Sequence, residues 1–462
     1  MKENLLYERK NGFTGLDEKK KEKIFDFCED YKKAITTAKT EREFCSMSYE
    51  LLEKEGFVRL ETKTSLKPGD RVYTTNRGKG VFAAVIGTED MREGTNIVGA
   101  HIDSPRLDLK PAPLYEDGGM AYFKTHYYGG IRKYQWFNIP LSLHGVVVKT
   151  DGTQINISVG ESGKDPIFCI ADLLPHLAQQ YSAKKLSEAF DGEKLNVIVG
   201  NMEFDDKDAK EKVKYGVMKM LNDRYGICEA DLMSSELELV PAFAARDLGF
   251  DRSMVAGYGQ DDRVCAYTAL RAVIDVKNPK RTAVCLLVDK EEIGSMGNTG
   301  MKSRYFENTL AKICYMRDNN YNDLVIRECL SNSVCLSADV GAAYDSNFPE
   351  TCERRNTAII NGGLLLTKYT GSRGKSGSSD ASAELVAKIR GIFEENGVHW
   401  QSGELGKVDL GGGGTIAQYV ANLDIDVIDC GVALLAMHSP NEVSGKFDVY
   451  MAYKGYKAFM NS

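Results

Sequence analysis

Several chemistry-bearing side chains stand directly behind apolar runs. Glu291-Glu292 closely follow Val284 to Val288 and precede Gly294. The run reads as a fully buried strand of a parallel sheet. In open α/β sheets, chemistry gathers beyond the carboxyl ends of the strands. Adjacent residues there point in different directions, so one carboxylate can bind a metal while its neighbour faces the substrate. Taken alone, two solvated acids at a strand end is the competing reading. Asn96 to Ala100 delivers His101 in the same way, with Asp103 two residues on. A histidine that ligates beside a carboxylate that orients it suits a metal site; a structural His101–Asp103 pair is the plainer alternative. Ser333 to Ala338 ends at Asp339, Gln260-Asp261-Asp262 precedes a long apolar helix, and Leu434 leads to His438.

His101, Asp261, Glu291 with Glu292, Asp339 and His438 make an oxygen and imidazole set without thiolate. Such a set suits zinc, cobalt or manganese. Its size suits two metals, with one bridging carboxylate and one histidine plus one further carboxylate for each. Paired ions about 3.5–4 Å apart can hold a water and polarise a carbonyl. A glutamate that does not ligate can take the water's proton and return it to a leaving amine. The run Gly411-Gly412-Gly413-Gly414-Thr415 lets backbone approach a substrate closely, or is simply a flexible loop.

Other chemistries fit less well. The chain holds no GxSxG elbow, GxxxxGK[ST] loop or HExxH helix, and Gly257-Tyr258-Gly259 lacks the third glycine of a dinucleotide fingerprint. Paired carboxylates alone would fit a glycosidase, which leaves the histidines unexplained.

The elements that must position these residues follow from periodicity. Ile24, Phe27, Tyr31 and Ile35 recur at helical spacing, and a second helix carries Phe44, Met47, Leu51 and Leu52 up to Gly56. Residues 71–75 and 80–86 flank Asn76-Arg77-Gly78-Lys79 as a hairpin. From Leu107 to Arg246 the texture becomes β-like and glycine-punctuated, with a short helix expected around His176. Later strands are expected at 284–288, 333–338 and 424–428. Helices are expected at 264–276, 308–316, 379–395 and 450–460. This alternation predicts an α/β fold, a mixed and mostly parallel sheet sandwiched by helices. Residues 1–107 and 247–462 form one discontinuous domain, and 108–246 an inserted α+β, β-rich module.

With 462 residues, 43% hydrophobic and 27% charged, the composition is that of a globular protein of more than one domain. A net charge of −7 argues against a nucleic-acid or membrane partner. No apolar run reaches spanning length and no signal-peptide pattern opens the chain. The eleven cysteines are scattered and lack any CxxC pair. They read as reduced residues, mostly in apolar runs such as those at Cys169, Cys285, Cys335 and Cys430, in a cytoplasmic protein.

Gly99-Ala100-His101-Ile102-Asp103-Ser104-Pro105, Gln260-Asp261-Asp262, Glu291-Glu292-Ile293-Gly294-Ser295, Ser337-Ala338-Asp339 and Ala436-Met437-His438-Ser439 resemble the aspartyl aminopeptidase family of dizinc exopeptidases. Tyr128-Gly129-Gly130-Ile131 with Trp136-Phe137 resembles that family's inserted domain. The resemblance implies a zinc-exopeptidase-like fold and removal of single N-terminal residues from peptides. It implies that Asp261 bridges two divalent ions, that His101 and His438 ligate one each, and that Glu292 and Asp339 complete them. It makes Glu291 the base, Asp103 the orienting partner, and Gly413 the backbone donor to the substrate carbonyl. It further implies that the insert mediates dimer contacts, that His176 reaches the neighbouring subunit's site, and that dimers build a tetrahedral homododecamer.

The family name implies an acidic N-terminal preference. Val340-Gly341-Ala342-Ala343-Tyr344-Asp345 lacks the histidines of eukaryotic members, and Lys368 to Ser376 lacks their tyrosine. Asp345 would repel an acidic residue, whereas Lys368, Arg373 and Lys375 would attract one. Two alternatives remain at this point. One is a dimetal amidohydrolase acting on N-acyl amino acids. The other is a chamber-forming scaffold or metal store without catalysis, against which an intact Glu291 argues.

Overall fold

The computed structural model describes residues 5–205, 209–318 and 320–462. They separate into two compact units: 5–103 with 245–437 and 441–462, and 104–244 with 438–440.

The first unit opens with two capped helices. Asp17 accepts from the Lys20 amide at the start of Glu18–Thr37, and Thr40 with Glu43 forms a capping box for Glu41–Lys54. Arg77 (φ 53°) and Gly78 (φ 69°) supply the two left-handed residues that turn Arg71–Thr75 into the antiparallel Val81–Val85.

These strands enter a nine-stranded mixed sheet. At its centre Thr282–Val288, Thr95–His101, Val334–Ser337 and Asp426–Gly431 run parallel in that spatial order. Antiparallel neighbours flank them, Val81–Val85 on one side and Leu364–Thr367 on the other. The Thr282–Val288 strand is therefore buried along its whole length, as its apolar run predicts, but parallel to only one neighbour.

Residue alternation explains the layers. Ala283, Cys285 and Leu287 pack in one apolar cluster with the helices Glu18–Thr37, Gln260–Ile274, Ala383–Glu395 and Lys446–Met460. Val284, Leu286 and Val288 pack in another with Tyr305–Arg317 and Asp323–Ser331. Both faces are thus covered, which is why these strands read as continuous apolar runs. Burial of a side chain such as Leu286 contributes about 1.5–3 kcal/mol. A smaller five-stranded sheet in the same unit joins Arg246–Leu248, Met254–Gly257, Glu442–Gly445, Ala433–Leu435 and Gly341–Ala342.

The second unit is built on a six-stranded sheet whose pairings are all antiparallel. Its longest pair, Arg106–Asp117 with Met120–Tyr128, turns at Gly118-Gly119 and shifts register between Leu109 and Leu114. Pro111 and Pro113 lie in that gap, where neither can donate to the ladder.

Some elements differ from the sequence reading. The helix expected around His176 is only a 3₁₀ turn, Pro175–Leu177, followed by the one-turn helix Gln179–Ser182. The helix expected from Ser379 begins at Ala383, because Ser382 caps it by accepting from the Leu385 amide. The helix Asp323–Ser331 and the long Arg106–Tyr128 hairpin are additions. Every cysteine is free; most are buried, whereas Cys169 is half-exposed. Among the described residues no helix is long and apolar enough to cross a membrane.

Candidate metal centre

His101 ends the Thr95–His101 strand and is 1% exposed. Its Nδ1 lies 3.0 Å from the Asp103 carbonyl oxygen and 3.3 Å from Asp103 Oδ1. Its Nε2 lies 3.2 Å from Asp261 Oδ1, and 3.9 Å from both Glu291 Oε2 and Asp339 Oδ1. Two groups, His101–Asp261–Glu292 and His101–Glu291–Asp339, each bring their ligand atoms within 4.8 Å of one another. Among the predicted residues, His101, Asp261, Glu291, Glu292 and Asp339 are therefore gathered in one place. Glu291, read from the sequence as a base, also lies within ligand reach.

The glutamates do not end the strand itself. Asp289 follows it, Lys290 turns the chain at φ 67°, and Glu291–Ile293 forms a 3₁₀ turn. Asp103 holds that turn. Fully buried, it accepts the Glu291 amide at 3.1 Å through Oδ1 and the Glu292 amide at 3.2 Å through Oδ2. Both carboxylates are thereby aimed by one rigid acceptor pair.

Asp261 is fixed from behind. Its amide donates to Glu442 Oε2 at 3.1 Å. Gln260, wholly buried, donates to the carbonyls of Val255 (3.2 Å) and Glu442 (2.7 Å). It accepts from the hydroxyls of Tyr31 (3.0 Å) and Ser444 (2.6 Å). All four capacities of this amide are used, so the turn into the Gln260–Ile274 helix has one arrangement.

The electrostatics call for a cation. Burial pushes the Asp339 carboxyl well up; His101 opposes this, and the charges of Asp262, Glu291 and Asp261 add to it. Burial likewise raises Asp262, whose Oδ2 receives the His101 amide at 3.4 Å. Burial alone would lower His101, but hydrogen bonds to Asp103 and Asp261 hold it well above the ordinary imidazole value. Like-charged carboxylates drawn out of water around one imidazole fit a divalent ion, which would relieve both the crowding and the desolvation.

The remaining predicted residues belong to neither of these two groups. His438, at φ 63°, groups with the second unit, where its Nδ1 is 2.9 Å from the Gly130 carbonyl. His176 is exposed on its 3₁₀ turn. Gly413 is exposed in the first unit, and its carbonyl accepts the Gly371 amide at 2.7 Å. Sequence reasoning missed Gln260, Asp262, Glu442 and Asp429. Asp429 carried the same signal as Asp339, an acid closing an apolar strand run.

A buried histidine ringed by carboxylates at the carboxyl edge of a mixed sheet marks the class of metal-dependent hydrolases. A family model described as aminopeptidase I zinc metalloprotease (M18) matches residues 34–460. A probable M18 family aminopeptidase 1 of Clostridium acetobutylicum is 50% identical over 466 residues, covering 100% of each chain. A crystal structure of an M18 family aminopeptidase from Thermotoga maritima matches with a TM-score of 0.95 and 46% identity, covering 99% of this chain and 100% of that one. The mApe1 dodecamer of S. cerevisiae shares the fold, with a TM-score of 0.76 and 22% identity over 94% of this chain and 96% of that one. The chain belongs to the M18 family of zinc metallopeptidases, as do the aspartyl aminopeptidases it resembles. It is a zinc-dependent aminopeptidase, a hydrolase acting on peptide N-termini.

Proposed function

We propose that this aminopeptidase works with two divalent ions, zinc by preference, and Glu291 as general base. The carrying observation is that His101 lies within ligand reach of Asp261 and Glu292 in one group and of Glu291 and Asp339 in another. As the family resemblance implies, Asp261 would be shared by the two ions, His101 and His438 would hold one each, and Glu292 and Asp339 would complete them. When bound, the ions supply a Lewis acid for the scissile carbonyl and an acidified water. Glu291 takes the proton of the attacking water and delivers it to the leaving amine. Asp103 keeps the Glu291–Ile293 turn in place while it does so. Gly413 offers its backbone N–H to the substrate carbonyl oxygen.

Subunits pair through residues 108–246 and assemble into a homododecamer like that of the S. cerevisiae relative, in the cytoplasm, with His176 acting in the neighbouring subunit. The cations of the 368–375 segment would favour the acidic N-terminal residue that the family name implies, against the opposing charge of Asp345. A panel of amino-acid p-nitroanilides, assayed across a two-step zinc titration of the metal-stripped protein, tests the reading. Activity that appears only with the second equivalent, highest on aspartyl and glutamyl substrates, is expected. Full activity with one equivalent would remove the two-ion mechanism.

A further inference from the structure

Asp429 belongs to the Asp426–Gly431 strand and is 3% exposed. In register it faces Ser337 of the neighbouring parallel strand, whose chain reaches Asp339 two residues later. Its two oxygens hold two different loops. Oδ1 accepts the Thr415 hydroxyl at 2.6 Å, and Oδ2 accepts the Ser379 hydroxyl at 3.1 Å. Thr415 closes the glycine run. Ser379 closes the segment that begins at Lys368.

The loops also bind each other. The Gly371 amide donates to the Gly413 carbonyl at 2.7 Å. Thr370 and Ser379 are joined twice: the Thr370 amide donates to the Ser379 carbonyl at 3.2 Å, and the Ser379 amide donates to the Thr370 hydroxyl at 3.0 Å. The result is a closed circuit: Asp429, Thr415, Gly413, Gly371, Thr370, Ser379 and back to Asp429. The approach is close enough that a Cβ on Gly412 (φ 118°) would sit 2.1 Å from the Gly371 carbonyl oxygen. Glycine is required there on both counts.

We propose that Asp429 is a positioning residue that holds the glycine run and the 370–379 segment as one rigid wall of the substrate site. The proposal rests on the reading of Gly413 as a substrate-binding residue. Asp429 touches no substrate; it acts through Thr415 and Ser379. A carbonyl-binding N–H has to be held within a fraction of an ångström, and a misplacement of about 1 Å costs up to about a hundred-fold in rate. A four-glycine loop cannot supply that rigidity by itself, and the buried carboxylate does.

The test compares Thr415→Val, which removes the donor at constant shape, with Thr415→Ser, which keeps it. Asp429→Leu is the complementary change from the strand side. In the zinc-loaded enzyme, Thr415→Val should lower kcat/KM by about ten- to hundred-fold, largely through kcat. Thr415→Ser should stay within about three-fold of the parent. Hydrogen exchange of the Gly371 amide, followed by mass spectrometry, should speed up in Thr415→Val and not in Thr415→Ser, and zinc content should not change. Faster exchange with unchanged kinetics would retain the circuit but overturn its place in the substrate site. Unchanged exchange in both Thr415→Val and Asp429→Leu would overturn the circuit itself. An inactive parent enzyme would instead indict the aminopeptidase mechanism, not Asp429.

Discussion

Asp103 and Asp429 are both buried near the carboxyl edge of the nine-stranded sheet, and each holds functional chain in place. Asp103 does so through backbone, accepting the consecutive amides of Glu291 and Glu292. Asp429 does so through side chains, accepting one hydroxyl from each of two loops. A backbone-held turn is independent of side-chain identity at the positions it holds, so Glu291 and Glu292 remain available for chemistry. A hydroxyl-held loop depends on Thr415 and Ser379 being what they are. The ligand side is therefore tied to the main chain, and the substrate side is tied to two replaceable side chains.

The largest expected effect comes from emptying the held turn of its base. Glu291→Gln should lower kcat by about 10²–10⁴-fold, the usual contribution of a general base. The turn and the zinc content should survive, because Asp103 grips amides and not the glutamate side chain. Loss of zinc together with activity would make Glu291 a ligand, which its 3.9 Å approach to His101 Nε2 permits.

Asp103→Asn attacks the grip itself. One acceptor becomes an N–H₂ facing a backbone N–H, and a buried donor left unsatisfied costs about 1–3 kcal/mol. Zinc should bind about 10–100-fold more weakly, as is usual when the groups that orient ligands are removed. Competition against a chromogenic chelator measures it. Affinity within about two-fold of the parent would mean that the turn holds itself.

The next change sharpens the comparison through pH. Burial raises the Asp429 carboxyl to about 6, although hydrogen bonds from Thr415, Ser337 and Ser379 resist the shift. The folded value exceeds the unfolded one, near 3.8. The fold therefore favours the protonated acid. Its stabilising contribution is complete below about pH 4 and is lost as pH rises to about 6. Asp429→Asn stays neutral throughout. Relative to the parent it should gain about 2–3 kcal/mol between pH 4 and 7, from a shift of about two pKa units. Urea melts across that range check this; a difference independent of pH would refute it.

The smallest effect concerns the loop's surface. Lys368 Nζ lies 2.9 Å from Asp380 and 4.2 Å from the Tyr369 ring centroid, on the exposed side. Lys368→Met should leave the melting temperature unmoved. It should lower the ratio of aspartyl to alanyl p-nitroanilide turnover if the lysine attracts acidic residues. An unchanged ratio would take Lys368 out of specificity.

Much of this was legible in the sequence because of a repeated arrangement: an apolar strand followed by a polar residue. His101 and Asp339 announce themselves in that way, and Glu291-Glu292 follow close behind. The sheet and its helices followed from the same apolar runs. The fixtures behind the site were harder to read. Nothing in the local pattern says that Gln260 spends its amide on Val255, Glu442, Tyr31 and Ser444, residues up to 229 positions away. The helix expected from Ser379 began late for a similar reason. Ser379 is engaged by Asp429 and Thr370, and the cap falls to Ser382. The single-turn structure around His176 shows the opposite limit, where a proline and scattered apolar residues mimic a helix that the chain does not build.

The circuit closed by Asp429 has a consequence for how such an enzyme can change over generations. Two loops are clipped to the scaffold by one hydroxyl each, on a strand that carries none of the proposed ligands. Loop residues between Gly371 and Ser379 can vary in length and charge while the clips persist. New substrate tastes can be sampled there without touching the metal-binding acids. A library randomised at 373–377, with Thr415, Ser379 and Asp429 kept, is the natural starting point for redesigning selectivity.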